Sequence, residues 1–268
     1  MTSKAKTPKK ASHSEEKSPK QNRRKTQQKQ VMSTPTKRII VSVSNKGGVG
    51  KSFFLIQLIE WLKEHPSKPT FAAFDPDEAN KTLLTFHKDC TEFIDTDQGN
   101  ALDRVVMVLN DVDVSILDGL GSQQKKTIIA WLKDVDIFQA AEELGFRVTF
   151  VVMVEEDRDV ILQTKSLLDD IGDKVDWVFA LNRKNAKNSL LWENSSARKI
   201  GLGLGGIEIN VERLMESSAI YLTKETLSVR KAVDQAPNLL DRNRFRGLWR
   251  RMSEEIAKAE AYFLPAAK

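Results

Sequence analysis

Asn45-Lys46-Gly47-Gly48-Val49-Gly50-Lys51-Ser52 is the stretch whose reading decides the fold. The apolar, β-branched run Ile39-Ile40-Val41-Ser42-Val43 precedes it, and residues 53–63 read as a helix after it. Strand, glycine-rich turn and helix, in that order, make the context of a phosphate-binding loop. The glycines let backbone N–H groups turn inward around a polyphosphate, where a Cβ would collide. The helix adds its free N–H groups and the positive end of its dipole. In such a loop Lys51 is expected to reach the β- and γ-phosphates, and the Ser52 hydroxyl to ligate Mg²⁺.

Two carboxylate-bearing strand ends follow. Thr70-Phe71-Ala72-Ala73-Phe74 reads as a short buried strand and runs into Asp75-Pro76-Asp77-Glu78-Ala79-Asn80. At the carboxyl end of a parallel strand beside the loop strand, Asp75 and Asp77 suit Mg²⁺ and water. A plain polar turn built on Asp and Pro is the other reading. Val112-Asp113-Val114-Ser115-Ile116-Leu117-Asp118-Gly119 is an apolar strand ending in an acid. There Asp118 is expected to hold Mg²⁺ through its water shell, and Gly119 and Gly121 to let the backbone approach the γ-phosphate.

Helices are expected over 98–110, 123–144, 157–171, 211–221, 224–235 and 239–263. Strands are expected over 146–154 and 175–181, with a final short one inside 201–210. The strand over 175–181 leads into Asn182, an adenine-edge candidate or an ordinary strand-end Asn. Gly201, Gly203 and Gly206 match a dinucleotide fingerprint in form only, because no strand precedes them. Alternating strands and helices with the loop first predict an α/β fold. A mainly parallel sheet carries helices on both faces, with the site at the strands' carboxyl ends.

Charge is unevenly placed. Residues 1–38 carry twelve Lys or Arg and only Glu15 and Glu16, a net of +10, whereas the remainder nets −5. Residues 1–36 nearly lack large apolar side chains and are expected to be a disordered tail, the domain occupying 37–268. The tail's basic clusters would bind a phosphate backbone nonspecifically, or merely keep the chain soluble. Cys90 is the single cysteine, so neither an intrachain disulfide nor a multi-cysteine metal cluster can form, which fits a reducing cytoplasm. No apolar run has the length of a membrane span. In the last helix Phe245, Leu248, Trp249, Met252 and Ile256 form one stripe, with Arg242, Arg244, Arg246, Arg250 and Arg251 around it. That stripe would dock on the sheet, lie on a membrane surface, or border a nucleic-acid surface.

Asn45 stands where the ordinary P-loop has its first glycine, and a second lysine, Lys46, precedes the double glycine. Lys46-Gly47-Gly48-Val49-Gly50-Lys51-Ser52 resembles the deviant Walker A loop of the ParA/MinD family. The resemblance covers about residues 38–240. The spacing from Asp75 through Asp77 to Asn80 looks most like the plasmid-transfer and stability branch, the TraL- and StbB-like proteins. It implies a weak, Mg²⁺-dependent ATPase, bacterial and cytoplasmic, nucleoid- or plasmid-associated, that acts in partition or conjugative transfer. It would form a homodimer with ATP and bind DNA, a membrane, or a cargo or adaptor such as a partition factor or relaxase. It makes Lys46, Gly47, Gly48, Val49, Gly50, Lys51, Ser52, Phe53 and Asn182 the nucleotide contacts, with Ser52, Asp75 and Asp118 around the metal. Lys46 resembles the lysine that crosses to the partner's nucleotide, and Asp77 the residue that positions attacking water. Phe53-Phe54 replaces the family's threonine-containing helix start, and Gly119 stands where x-Pro-Pro is frequent. A membrane-cycling ATPase of MinD type is the second reading. A reductase iron protein, tyrosine kinase or ligase on the same fold is the third: the single cysteine opposes the reductase, the presence of only Tyr221 and Tyr262 opposes the kinase, and a ligase would need a substrate pocket that the sequence does not identify.

Overall fold

The computed structural model describes residues 35–44, 46–119, 122–184 and 189–266, with the backbone alone for 122–126. The basic tail, Asn45, Gly121 and Asn185 lie outside the described residues. Seven strands form one sheet: β1 (Lys37–Val43), β2 (Phe71–Asp75), β3 (Thr91–Phe93), β4 (Val114–Leu117), β5 (Phe146–Val154), β6 (Asp176–Asn182) and β7 (Ile207–Val211). Their order is β3-β2-β4-β1-β5-β6-β7, and every pairing is parallel. Parallel neighbours need helical crossovers, which cover both faces and make the strands apolar on each side.

The helices are α1 (Lys51–Glu64), α2 (Thr82–Phe86), α3 (Asp103–Met107), α4 (Ser122–Asp134), α5 (Ile137–Leu144), α6 (Arg158–Ile171), α7 (Leu190–Glu193), α8 (Ser196–Gly203), α9 (Glu216–Glu225), α10 (Val229–Gln235), α11 (Leu239–Lys258) and α12 (Glu260–Phe263). Strand alternation divides the core. Ile39, Val41 and Val43 of β1 pack on one face with Phe150, Val152, Trp177 and Phe179. Ile40 joins Val151, Met153 and Val178 on the other, against Leu55, Leu58, Ile59 and Leu62 of α1. A third cluster, around Val229, Ala232, Phe245, Leu248 and Met252, joins α10 and α11. Buried Arg38 secures the end of the chain to the sheet. It pairs with Asp176 and donates to the Ala261 carbonyl at 2.6 Å and the Leu264 carbonyl at 3.3 Å.

Several expected boundaries shift for local reasons. The helix over 98–110 shrinks to α3 plus a 3₁₀ turn at Val108–Asn110, because 95–101 is spent on successive turns. The segment 123–144 breaks at Asp136, whose φ is +43°, into α4 and α5. Instead of a helix from 211, β7 runs to Val211 and α9 begins at Glu216. Ser228 accepts from the Lys231 N–H as the N-cap of α10, so the helix expected from 224 starts at Val229. Strand β3 was not expected, since three residues carry no readable period. The last helix docks on the body. Phe245, Leu248, Met252 and Ile256 are at most 8% exposed, and the Trp249 indole N–H donates to Glu64.

Candidate phosphate-binding site

The carboxyl end of β1 feeds directly into the glycine loop. Gly48 has φ +73° and Gly50 φ +96°, a region L side chains rarely adopt. This lets the chain reverse and open α1 at Lys51, whose side chain is buried with its ammonium donating to the Lys46 carbonyl at 3.3 Å. Burial lowers the Lys51 pKa, and the charge of Asp118 opposes that shift.

Asp118 follows β4, the strand beside β1, and is 1% exposed. One oxygen accepts from the Ser42 hydroxyl at 2.8 Å, and that hydroxyl accepts from the Gly119 N–H at 3.0 Å. The other oxygen is buried and has no hydrogen-bond partner among the described residues. Burial pushes the Asp118 carboxyl up to about 6, helped by the charge of Asp75; the Ser52 and Ser42 hydroxyls and Lys51 pull the other way. Gly119 has a packing reason that sequence did not supply. A Cβ there would stand 1.9 Å from the Ser42 carbonyl oxygen.

Asp75 is also 1% exposed, but both its oxygens are engaged. They accept from the Asp77 N–H at 3.0 Å and from the Leu84 N–H in α2 at 3.1 Å. Asp77 accepts from the Ala79 and Asn80 N–H groups, each at 3.0 Å, and from the Asn80 side chain. In this structure both carboxylates therefore build the polar turn that carries the chain into α2, with Asp75 close enough to act on Asp118.

Lys46 faces the opposite wall. Its ammonium lies 2.8 Å from Asp157 and 3.3 Å from Glu155, and hydrogen bonds to these two raise its pKa. Asp157 is the N-cap of α6, accepting from the Asp159 and Val160 N–H groups. Asn182, at the end of β6, donates to the Val49 carbonyl at 2.7 Å and accepts from the Lys184 N–H at 2.8 Å. A cavity of about 640 Å³ adjoins the loop, lined in part by Gly48, Gly50, Phe53, Asn182, Glu212 and Arg213.

The structure thus gathers Lys46, Lys51, Ser52 and Asp118 at one end of the sheet and places Phe53 and Asn182 on the cavity. Sequence reading missed Ser42, Glu155, Asp157 and Arg213. A lone serine inside an apolar strand signals Ser42, and an acidic cluster directly after β5 signals Glu155 and Asp157. His87, Asp89 and Cys90 also bring ligand-type atoms within 4.8 Å of one another, but the Lys63 ammonium already contacts Asp89 at 2.8 Å and His87 at 3.4 Å.

The fold has solved counterparts. The MinD cell division protein of Aquifex aeolicus superposes with a TM-score of 0.51 at 14% identity, over 86% of this chain and 100% of that one. The chain has the MinD fold. The septum site-determining protein MinD from Pyrococcus horikoshii OT3, complexed with Mg-ADP, gives 0.50 at 14% identity, over 83% and 96%. The MinC:MinD cell division protein complex of A. aeolicus gives 0.50 at 13%, over 86% and 99%. No family model matches the sequence, and no curated protein matches it. MinD has its fold in common with this chain while differing at most positions, so the likeness speaks for architecture, and the chemistry rests on the side chains above.

Proposed function

We propose that this chain is a Mg²⁺-dependent ATPase of the ParA/MinD kind, a switch that dimerises with ATP and resets by slow hydrolysis. One observation carries the reading. Lys51 and Asp118 are both buried at the mouth of the glycine loop; among the described residues the Lys51 ammonium donates to one carbonyl, and one Asp118 oxygen accepts no hydrogen bond. Buried charges so poorly satisfied are costly unless a ligand completes them. A polyphosphate with a divalent cation fits both deficits. Lys51 and the loop N–H groups would hold the anion, and Ser52 and Asp118 the cation, with Asp75 behind them. The bound Mg²⁺–ATP supplies the phosphoryl bond whose hydrolysis resets the switch and the cation that neutralises its charge. The P. horikoshii MinD complexed with Mg-ADP supports this choice of ligand.

Isothermal titration is expected to show Mg²⁺–ATP affinity that collapses in Lys51→Ala. Equal binding by that variant would remove the assignment.

The proposed setting is plasmid or chromosome partition, or conjugative transfer, in a bacterial cytoplasm. The basic tail would hold nonspecific DNA, and a cargo or adaptor protein would be the second partner, as the MinC:MinD complex suggests. A membrane-cycling role gains no support from the last helix, whose apolar stripe is covered by the chain itself. Among the described residues no helix is long and apolar enough to cross a membrane.

A further inference from the structure

We infer that Asn182 is a positioning residue for the phosphate-binding loop and not a reader of the base; this rests on the loop being the nucleotide site. Its amide orientation is fixed by its partners. The end that meets the Val49 carbonyl must be the NH₂, and the end that meets the Lys184 N–H must be the oxygen. The oxygen thus accepts from backbone, and the donor end is turned to the loop. Asn182 is itself held in the sheet, paired with Val211 of β7 at the end of β6.

The 2.7 Å bond to Val49 joins the loop to a strand 133 positions away. A peptide plane is rigid, so fixing the Val49 carbonyl also fixes the direction of the Gly50 N–H across the same bond. That N–H is one of the loop donors a phosphate would use. The Asn182 amide nitrogen also lies 3.1 Å from where a Gly50 Cβ would stand, so it packs directly over the residue whose φ is +96°. A loop held in its binding conformation before the ligand arrives does not lose affinity to ordering.

The test separates loop from base by using a ligand that has no base. Binding of Mg²⁺–ATP, Mg²⁺–GTP and Mg²⁺–tripolyphosphate is measured for wild type and for Asn182→Ala, with Asn182→Asp as a second variant. Losing one hydrogen bond is expected to weaken all three by the same factor, about tenfold. Asn182→Asp turns a carboxylate oxygen toward the Val49 carbonyl and is expected to lose more, again equally for the three. A loss for ATP with unchanged tripolyphosphate binding would make Asn182 a base reader and overturn the inference. Hydrogen exchange on the ligand-free protein tests the clamp without any nucleotide. Amides of 49–52 should exchange about tenfold faster in Asn182→Ala, while unchanged exchange overturns the clamp. If wild type bound none of the three ligands, the nucleotide reading would fall, and the exchange result would still decide the clamp.

Discussion

Replacing Asp118 by Asn should stabilise the ligand-free protein while destroying its site. The wild-type carboxyl is pushed from 3.8 to about 6 by burial. Each unit corresponds to about 1.4 kcal/mol, so holding this charge in the fold at pH 7 costs about 3 kcal/mol. Asparagine keeps the oxygen that accepts from Ser42. Its NH₂ replaces an oxygen that already has no partner among the described residues, so no new orphan is created. The sign follows from the raised pKa. The penalty is complete above about pH 6 and shrinks as pH falls from 6, disappearing only below 3.8, where the carboxyl is protonated in folded and unfolded chains alike. Urea unfolding in the presence of a chelator should therefore place Asp118→Asn about 2–3 kcal/mol above wild type at pH 7. Roughly half that gap should remain at pH 5, and almost none at pH 3.5. The same variant should lose Mg²⁺-dependent ATP binding. A variant no more stable than wild type at pH 7, or a gap that ignores pH, would refute the idea that the fold carries this charge for its ligand.

Two other outcomes follow from the same geometry. Gly119→Ala drives a Cβ to 1.9 Å from the Ser42 carbonyl oxygen, a backbone atom that cannot swing aside. Thermal unfolding should show a loss of at least about 3 kcal/mol, and a neutral result would refute the close approach of β1 and the β4 end. Lys46→Ala should leave melting temperature and nucleotide binding nearly unchanged, because its ammonium is half-exposed and its nearer partner, Asp157, also reaches solvent, yet abolish ATP-dependent dimerisation and hydrolysis in light-scattering and phosphate-release assays. An ATP-induced dimer that survives the substitution would remove Lys46 from the interface.

What could be read from the sequence depended on whether the cause was local. The loop, α1, β5 and β6 were legible because each is written in consecutive residues: glycines before a Lys-Ser pair, then predominantly apolar runs. Strand β5 matches its expected limits at both ends: eight of its nine residues are buried, and its apolar side chains outweigh Arg147 and Thr149. Two of the boundaries that moved lie at single residues in unusual backbone states. Asp136 and Thr226, at φ +43° and +54°, end helices where the sequence offers neither glycine nor proline as a stop.

The site divides along the same line. Lys51 and Asp118 could be placed from order and spacing alone, because a strand end fixes a side chain wherever the sheet closes. What each carboxylate does with its oxygens depends on partners far along the chain. Asp75 and Asp118 both end buried strands at 1% exposure, and in sequence they look equivalent. Asp75 spends both oxygens on the start of α2. Asp118 spends one on Ser42 and keeps one back. The difference comes from the turn through Asn80, which brings the start of α2 onto Asp75, whereas Gly119 packs against Ser42 of β1, whose hydroxyl engages a single oxygen of Asp118. Of the two acids, Asp118 is therefore the one whose free oxygen would take a cation, and Asp75 would act on that cation through its charge.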